Sequence, residues 1–162
     1  MNIGISTNIF GLIGQRVNEI KLDELTQQVQ IICRRDRRKK VVDPLTGRKA
    51  TVNRYVSRDV RDIPFMGYPC MLRIELAQVF VSKNARPMET SELVDKGNRF
   101  TRRFCRLVSG LCRHMSIQAV ARHLNLRWET VKNMDRAHLI DTLPALDPTQ
   151  LTGLTSIGVD EV

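Results

Sequence analysis

The sequence predicts an α+β fold, with a small β-rich module first and three helices after it. Two observations carry this. Between residues 51 and 80 apolar side chains recur with a period of two, and from residue 100 onward the period becomes that of a helix. Composition sets the class: the 162 residues are 42% hydrophobic and 27% charged. Those values exclude a wholly disordered chain, a fibrous repeat and a disulfide scaffold. No apolar run approaches the ~20 residues that span a bilayer. The opening MNIGISTNIFGLIG has no basic n-region and is not read as a signal peptide. The four cysteines are expected to be reduced thiols in a cytosol.

In chain order, residues 27–33 (QQVQIIC) read as a short strand. Residues 41–50 (VVDPLTGRKA) hold Asp-Pro and a glycine, and read as a turn. Residues 51–60 alternate, with Val52, Val56 and Val60 on one face beside Arg54 and Arg58, so the inward face is mixed. Residues 64–69 (PFMGYP) form a second turn. In 70–80, Cys70, Leu72, Ile74 and Leu76 face one way and Met71, Arg73 and Glu75 the other. Residues 84–99 are polar, with Pro and Gly, and read as a linker or a covering loop. Then Phe100, Phe104, Leu107, Val108, Leu111, Cys112 and Met115 fall on one helix face, with Arg102, Arg103, Arg106 and Arg113 on the other. Ser116 is placed to cap a second helix, SIQAVARHL. A third runs from Trp128 to about His138, and the prolines of PALDP end it. Residues 156–162 (SIGVDEV) read as the start of another strand.

Charge is distributed unevenly. Twenty-six basic and seventeen acidic side chains give +9. Residues 1–30 carry −1, residues 31–98 carry +7, residues 99–136 carry +7 and residues 137–162 carry −4. The first basic block contains Arg34, Arg35, Arg37, Arg38, Lys39 and Lys40. Two separate basic blocks favour a polyanion, nucleic acid first. A membrane surface fits less well, because no basic helix carries a broad Trp/Phe/Leu face.

Residues 117–136 fit a helix-turn-helix. Ala121 is the small residue where two steeply crossed helices touch. Asn125 tolerates the left-handed conformation of the tight turn. Leu126 plugs the space beneath it, while Val120, Leu124, Val131 and Met134 face inward. Arg127, Glu129, Thr130, Lys132, Asn133 and Arg136 are left on the outside of the second helix, where a major groove would meet them. Arginine suits guanine, asparagine suits adenine and glutamate accepts from cytosine. Thr130, Arg102 and Arg103 are better placed for phosphates. His123 is read as surface, His114 and His138 as structural. Cys105 and Cys112, on the apolar face of the first helix, are read as core.

FTRRFCRLV, MSIQAVARHLNLRWETVKNM and LTSIGVDEV, in this order, resemble the N-terminal part of bacterial insertion-sequence transposases of the ISL-three type, over about Leu12 to Val162. The resemblance implies a zinc ribbon, a helix-turn-helix and then an RNase H-like catalytic domain with three carboxylates holding two Mg2+ ions. It makes Asp160 the first of those carboxylates. The implied organisation is a zinc-ribbon-like β module with linker over 1–98, a three-helix helix-turn-helix domain over 99–140, and a linker with the first catalytic strand over 141–162.

The sequence departs from the family in two ways. Where the ribbon's Cys-Pro-x-Cys-Gly knuckle belongs, it reads Asp43-Pro44-Leu45-Thr46-Gly47. Where the second pair belongs, it reads Val81-Ser82-Lys83-Asn84. A structural zinc needs four N or S donors, so zinc is expected to be absent and no residue is assigned as a metal ligand. Asp43 and Thr46 are placed to hydrogen-bond across the turn instead. The second departure is that two catalytic carboxylates are missing, and one cannot position two metals. No cofactor is therefore expected, Mg2+ being relevant only with a full catalytic domain, and the chain alone is expected to be inactive.

The resulting reading is a DNA-binding part of a transposase that recognises terminal inverted repeats in double-stranded DNA, in the bacterial cytoplasm at the nucleoid and away from membranes. Arg34, Arg35, Arg37 and Arg38 would add phosphate contacts. The alternatives are a truncated repressor, acting by occupying DNA or by pairing as a homodimer or with full-length transposase, and a non-functional remnant.

Overall fold

The computed structural model describes residues 10–143. Val29, Ile31 and Cys33 alternate with Gln30, Ile32 and Arg34 along β2 (Gln28–Arg35), and the first set is buried. The strand is flanked by β1 (Gln15–Asp23) and β4 (Tyr68–Phe80), with β3 (Thr51–Phe65) outermost. The sheet order is β1-β2-β4-β3; β2 and β4 run parallel and the other neighbours antiparallel. Met66 and Gly67, both at positive φ (51° and 88°), make the two-residue turn of the β3–β4 hairpin. Pro64 is tolerated because β3 is an edge strand.

Strand β1 has no counterpart in the sequence reading. Its apolar residues are Val17, Ile20 and Leu22, and a bulge between Val17 and Glu19 shifts their phase. A bulge of one residue hides a strand from any period-two test. The strand beginning at residue 51 runs on to Phe65, beyond the expected 51–60.

Residues 84–98 cover the sheet. Leu93 and Val94 are buried in its core with Leu12, Val60, Leu72 and Ile74. Met88 pairs with Gln78, and the Val79 N–H donates to the Pro87 carbonyl at 2.8 Å.

The helices are α1 (Arg102–Cys112), α2 (Ile117–His123) and α3 (Trp128–Thr142). Helix α1 is shorter than the expected 100–115. Thr101 is its N-cap, accepting from the Phe104 N–H, and Phe100 is extended, bridged to Arg61. Met115 lies beyond the helix and is exposed. Ser116 caps α2 by accepting from the Ala119 N–H at 3.3 Å. Phe104, Val108, Val120, Ala121, Leu124, Val131 and Met134 form a second core, against which Ile63 of β3 and Leu126 pack. Strand β3 therefore serves both cores, through Val60 on one side and Ile63 on the other. Asp160, the 156–162 strand and the PALDP prolines lie outside the described residues. No helix among the described residues is long and apolar enough to cross a membrane.

Candidate nucleic-acid interface

The turn between α2 and α3 is built as a steep crossing requires. Asn125 is left-handed at φ 50°. The Leu126 N–H donates to the Ala121 carbonyl at 2.8 Å, and Ala121 is buried at the helix contact. Strand β3 braces this turn: the Arg61 guanidinium donates to the Leu124 carbonyl and, at 3.3 Å, to that of Asn125. It also lies 5.4 Å from the centre of the Phe104 ring. Burial holds the Arg61 pKa below its ordinary value. Two orphan carbonyls at the end of α2 thus receive a cation where the helix dipole favours one. No local pattern announced Arg61, because its partners lie more than sixty residues away along the chain.

On α3, Glu129, Lys132, Asn133 and Arg136 are exposed at i, i+3, i+4 and i+7, so they share one stripe opposite Val131 and Met134. Arg127 is exposed just ahead of the helix as its N-cap residue. Thr130 is half-buried. It lines, with Asn133, Ala137, Arg102, Cys105 and Arg106, a cleft of about 700 Å3 between α1 and α3. Trp128, not singled out from the sequence, is 47% exposed at the start of α3, with the Lys132 ammonium 4.9 Å from its ring centre.

The arginines divide into those displayed and those consumed. Arg102 is exposed and pairs with Asp95 at 2.7 Å. Arg103, expected to meet phosphate, is instead bound to Asp62 and to the Phe10 carbonyl. Hydrogen bonding to Asp62 raises its pKa. Arg35, also expected at phosphate, is only 6% exposed. It follows Val29, Ile31 and Cys33 in the inward phase of β2. Its Nε donates to both Glu89 oxygens at 2.9 and 3.0 Å, and its other nitrogens to the Asp36, Lys39 and Lys40 carbonyls. Arg35 thereby shapes the basic loop rather than meeting a ligand. Arg37 lies 3.3 Å over the Tyr55 ring and pairs with Glu75 at 2.8 Å. Arg38 pairs with Asp36, whose pKa that hydrogen bond pulls down to about 2. Arg34 is exposed, directly opposite Arg16 on β1. Arg16 is itself paired, its Nε lying 3.4 Å from Asp36 Oδ1, so Arg34 is the displayed cation of the two.

His123 is exposed as expected. His114 is exposed as well, because α1 ends before it, and His138 is half-buried.

The residues at the two knuckle places do not fit zinc. Asp43 accepts from the Leu45 N–H at 3.0 Å and from the Thr46 hydroxyl at 2.7 Å, and the Gly47 N–H donates to its carbonyl. Val81–Asn84 close on Ala85 through backbone bonds and offer no thiolate or imidazole. Among the described residues no three His, Cys, Asp or Glu side chains gather as a metal site requires. Cys33 and Cys70 are buried in the sheet core.

Three packed helices, the last two joined by a left-handed turn at Asn125, with an exposed polar stripe carrying Lys132 and Arg136 on α3, define a helix-turn-helix domain of the DNA-binding class. Residues 89–139 match the helix-turn-helix domain of transposase family ISL3. The chain is also 32% identical over 83 residues to the transposase for insertion sequence element IS1001 of Bordetella parapertussis, an alignment covering 51% of this chain and 20% of that protein. Residues 89–139 are thus similar to the helix-turn-helix domain of the ISL3 transposases. The chain spans about a fifth of the length of the Bordetella relative. No solved structure matches it.

Proposed function

We propose that this chain is the sequence-reading, DNA-binding portion of an ISL3-type transposase and that it recognises the terminal inverted repeats of its insertion sequence. The observation that carries this is the α3 stripe of Glu129, Lys132, Asn133 and Arg136, solvent-facing and braced from β3. Arg127 and these residues enter the major groove. Thr130, Arg102 and Arg106 line the cleft beside the stripe and meet the phosphates that flank it. Arg34 adds phosphate contacts from the sheet. The setting is the bacterial cytoplasm, where double-stranded DNA is the partner. The β module holds its shape without zinc, the Asp43–Thr46 hydrogen bond closing its turn.

The test is fluorescence anisotropy on two labelled duplexes over a salt series. One carries the inverted repeat flanking the chain's own gene, the other its scrambled composition. A preference of tenfold or more, about 1.4 kcal/mol, is expected for the repeat. Equal and salt-sensitive binding to both would leave only backbone electrostatics and overturn sequence reading.

A further inference from the structure

Trp128 is the largest apolar side chain at the tip of α3, 47% exposed and part of neither hydrophobic core of the described residues. Side chains on a helix lean toward its N-terminus. The indole therefore extends the leading end of α3, the end that reaches base edges in helix-turn-helix docking. Arg127 precedes it in the chain, Lys132 lies one turn on and Arg136 one turn beyond that, all exposed, so these cations outnumber the one exposed acid beside it, Glu129. The Lys132 ammonium over the ring steadies the indole and keeps positive charge beside it. An apolar surface framed by cations suits a partner that is anionic overall and apolar at one point. A protein partner's apolar patch would not call for that frame.

On the major-groove edges of B-DNA the apolar group is the C5-methyl of thymine. We propose that Trp128 is a specificity-determining residue that packs its indole against a thymine methyl, alongside the polar readers on the stripe. This rests on the DNA-reading function proposed above and adds a base preference to it.

The chain has one tryptophan, so its emission reports Trp128 alone. The probe is a labelled duplex selected by the chain from a random-sequence library, together with versions in which each thymine in turn is replaced by deoxyuridine. Label anisotropy reports binding and tryptophan emission reports contact. Binding is expected to quench the emission and shield it from acrylamide. Deoxyuridine at one position should weaken the wild-type chain about fourfold, the equivalent of about 0.8 kcal/mol for one buried methyl. The same replacement should leave Trp128→Ala unaffected, and Trp128→Phe should keep part of the sensitivity. Binding with unchanged emission, or deoxyuridine effects that are absent or equal in wild type and Trp128→Ala, overturns the proposal while leaving DNA reading intact. Failure of anisotropy on every duplex overturns both.

Discussion

Asp62 on β3 and Arg103 on α1 join the sheet to the helices, with Arg103 Nε donating to Oδ1 at 2.7 Å. Asp62 is 1% exposed and accepts a third bond from the Thr101 hydroxyl at 2.6 Å. Thr101 in turn caps α1. One carboxylate thus fixes the start of the helical domain and consumes an arginine that its sequence neighbours suggest for DNA.

Removing one partner of a buried pair leaves the other charge uncompensated, at a cost of about 3 kcal/mol. Asp62→Ala should lower the urea unfolding free energy by about that amount. The double variant with Arg103→Ala should lose less than the two single losses added together. Additive losses would show that the pair is not coupled.

Arg61 holds the turn ahead of α3, and under the proposed function it positions the helix that reads DNA. Arg61→Ala removes charged hydrogen bonds at the end of α2 and should cost about 2 kcal/mol. It should also narrow the gap between repeat and scrambled duplex, while the salt slope stays unchanged because Arg61 meets no phosphate. Arg61→Lys should restore part of the preference. A parallel loss on both duplexes would instead mark Arg61 as a direct DNA contact.

The helical half was legible because its signals are local. Ala121, Asn125, Leu126 and the apolar set from Val120 to Met134 lie within twenty residues and act on one another there. In the sheet, the phase of Val29, Ile31 and Cys33 already marked Arg35 as inward, but its net charge in a basic run suggested a ligand. Asp62 shares the phase of Val60 in the same way. Strand β1 was hidden by its bulge. The choice of partner for Arg61 and Arg103 depends on tertiary contacts that no sequence window contains.

The Asp43 turn gives a prediction about metal and acid. Asp43 is covered by its own turn yet lies close to the surface. The Leu45 N–H, followed by the Thr46 hydroxyl, holds its pKa below the ordinary 3.8. Its contribution to stability is therefore fully present above that value and is lost as pH falls through the lowered one. Asp43→Asn should flatten the acid limb of stability below roughly pH 4. A chelator should leave the wild-type melting temperature unchanged at neutral pH. A drop on chelation would mean that a metal, and not this turn, holds the module.

Base readers and phosphate contacts should separate in binding. Asn133→Ala should cost about 1–3 kcal/mol on the repeat and relax preference at one position. Arg34→Ala should weaken repeat and scrambled duplex alike and reduce the salt slope by about one. Arg38→Ala should do less than Arg34→Ala, because Arg38 already spends its charge on Asp36. Equal loss on both duplexes for Asn133→Ala would remove it from base reading.

The thiols offer an independent map of the same surface. Burial pushes the Cys33 and Cys70 pKa values up to about 12. At pH 8 such a thiol is about a thousandfold poorer in thiolate than an ordinary one. Both should stay unreactive to a disulfide reagent until the chain unfolds. Cys105 and Cys112 are half-buried and should react first. Cys105 lines the cleft shared with Thr130 and Asn133, whereas Cys112 does not. Bound duplex should therefore slow Cys105 and leave Cys112 unchanged, as read by mass spectrometry of alkylated peptides. Protection of Cys112 without Cys105 would place the DNA on the other side of α1.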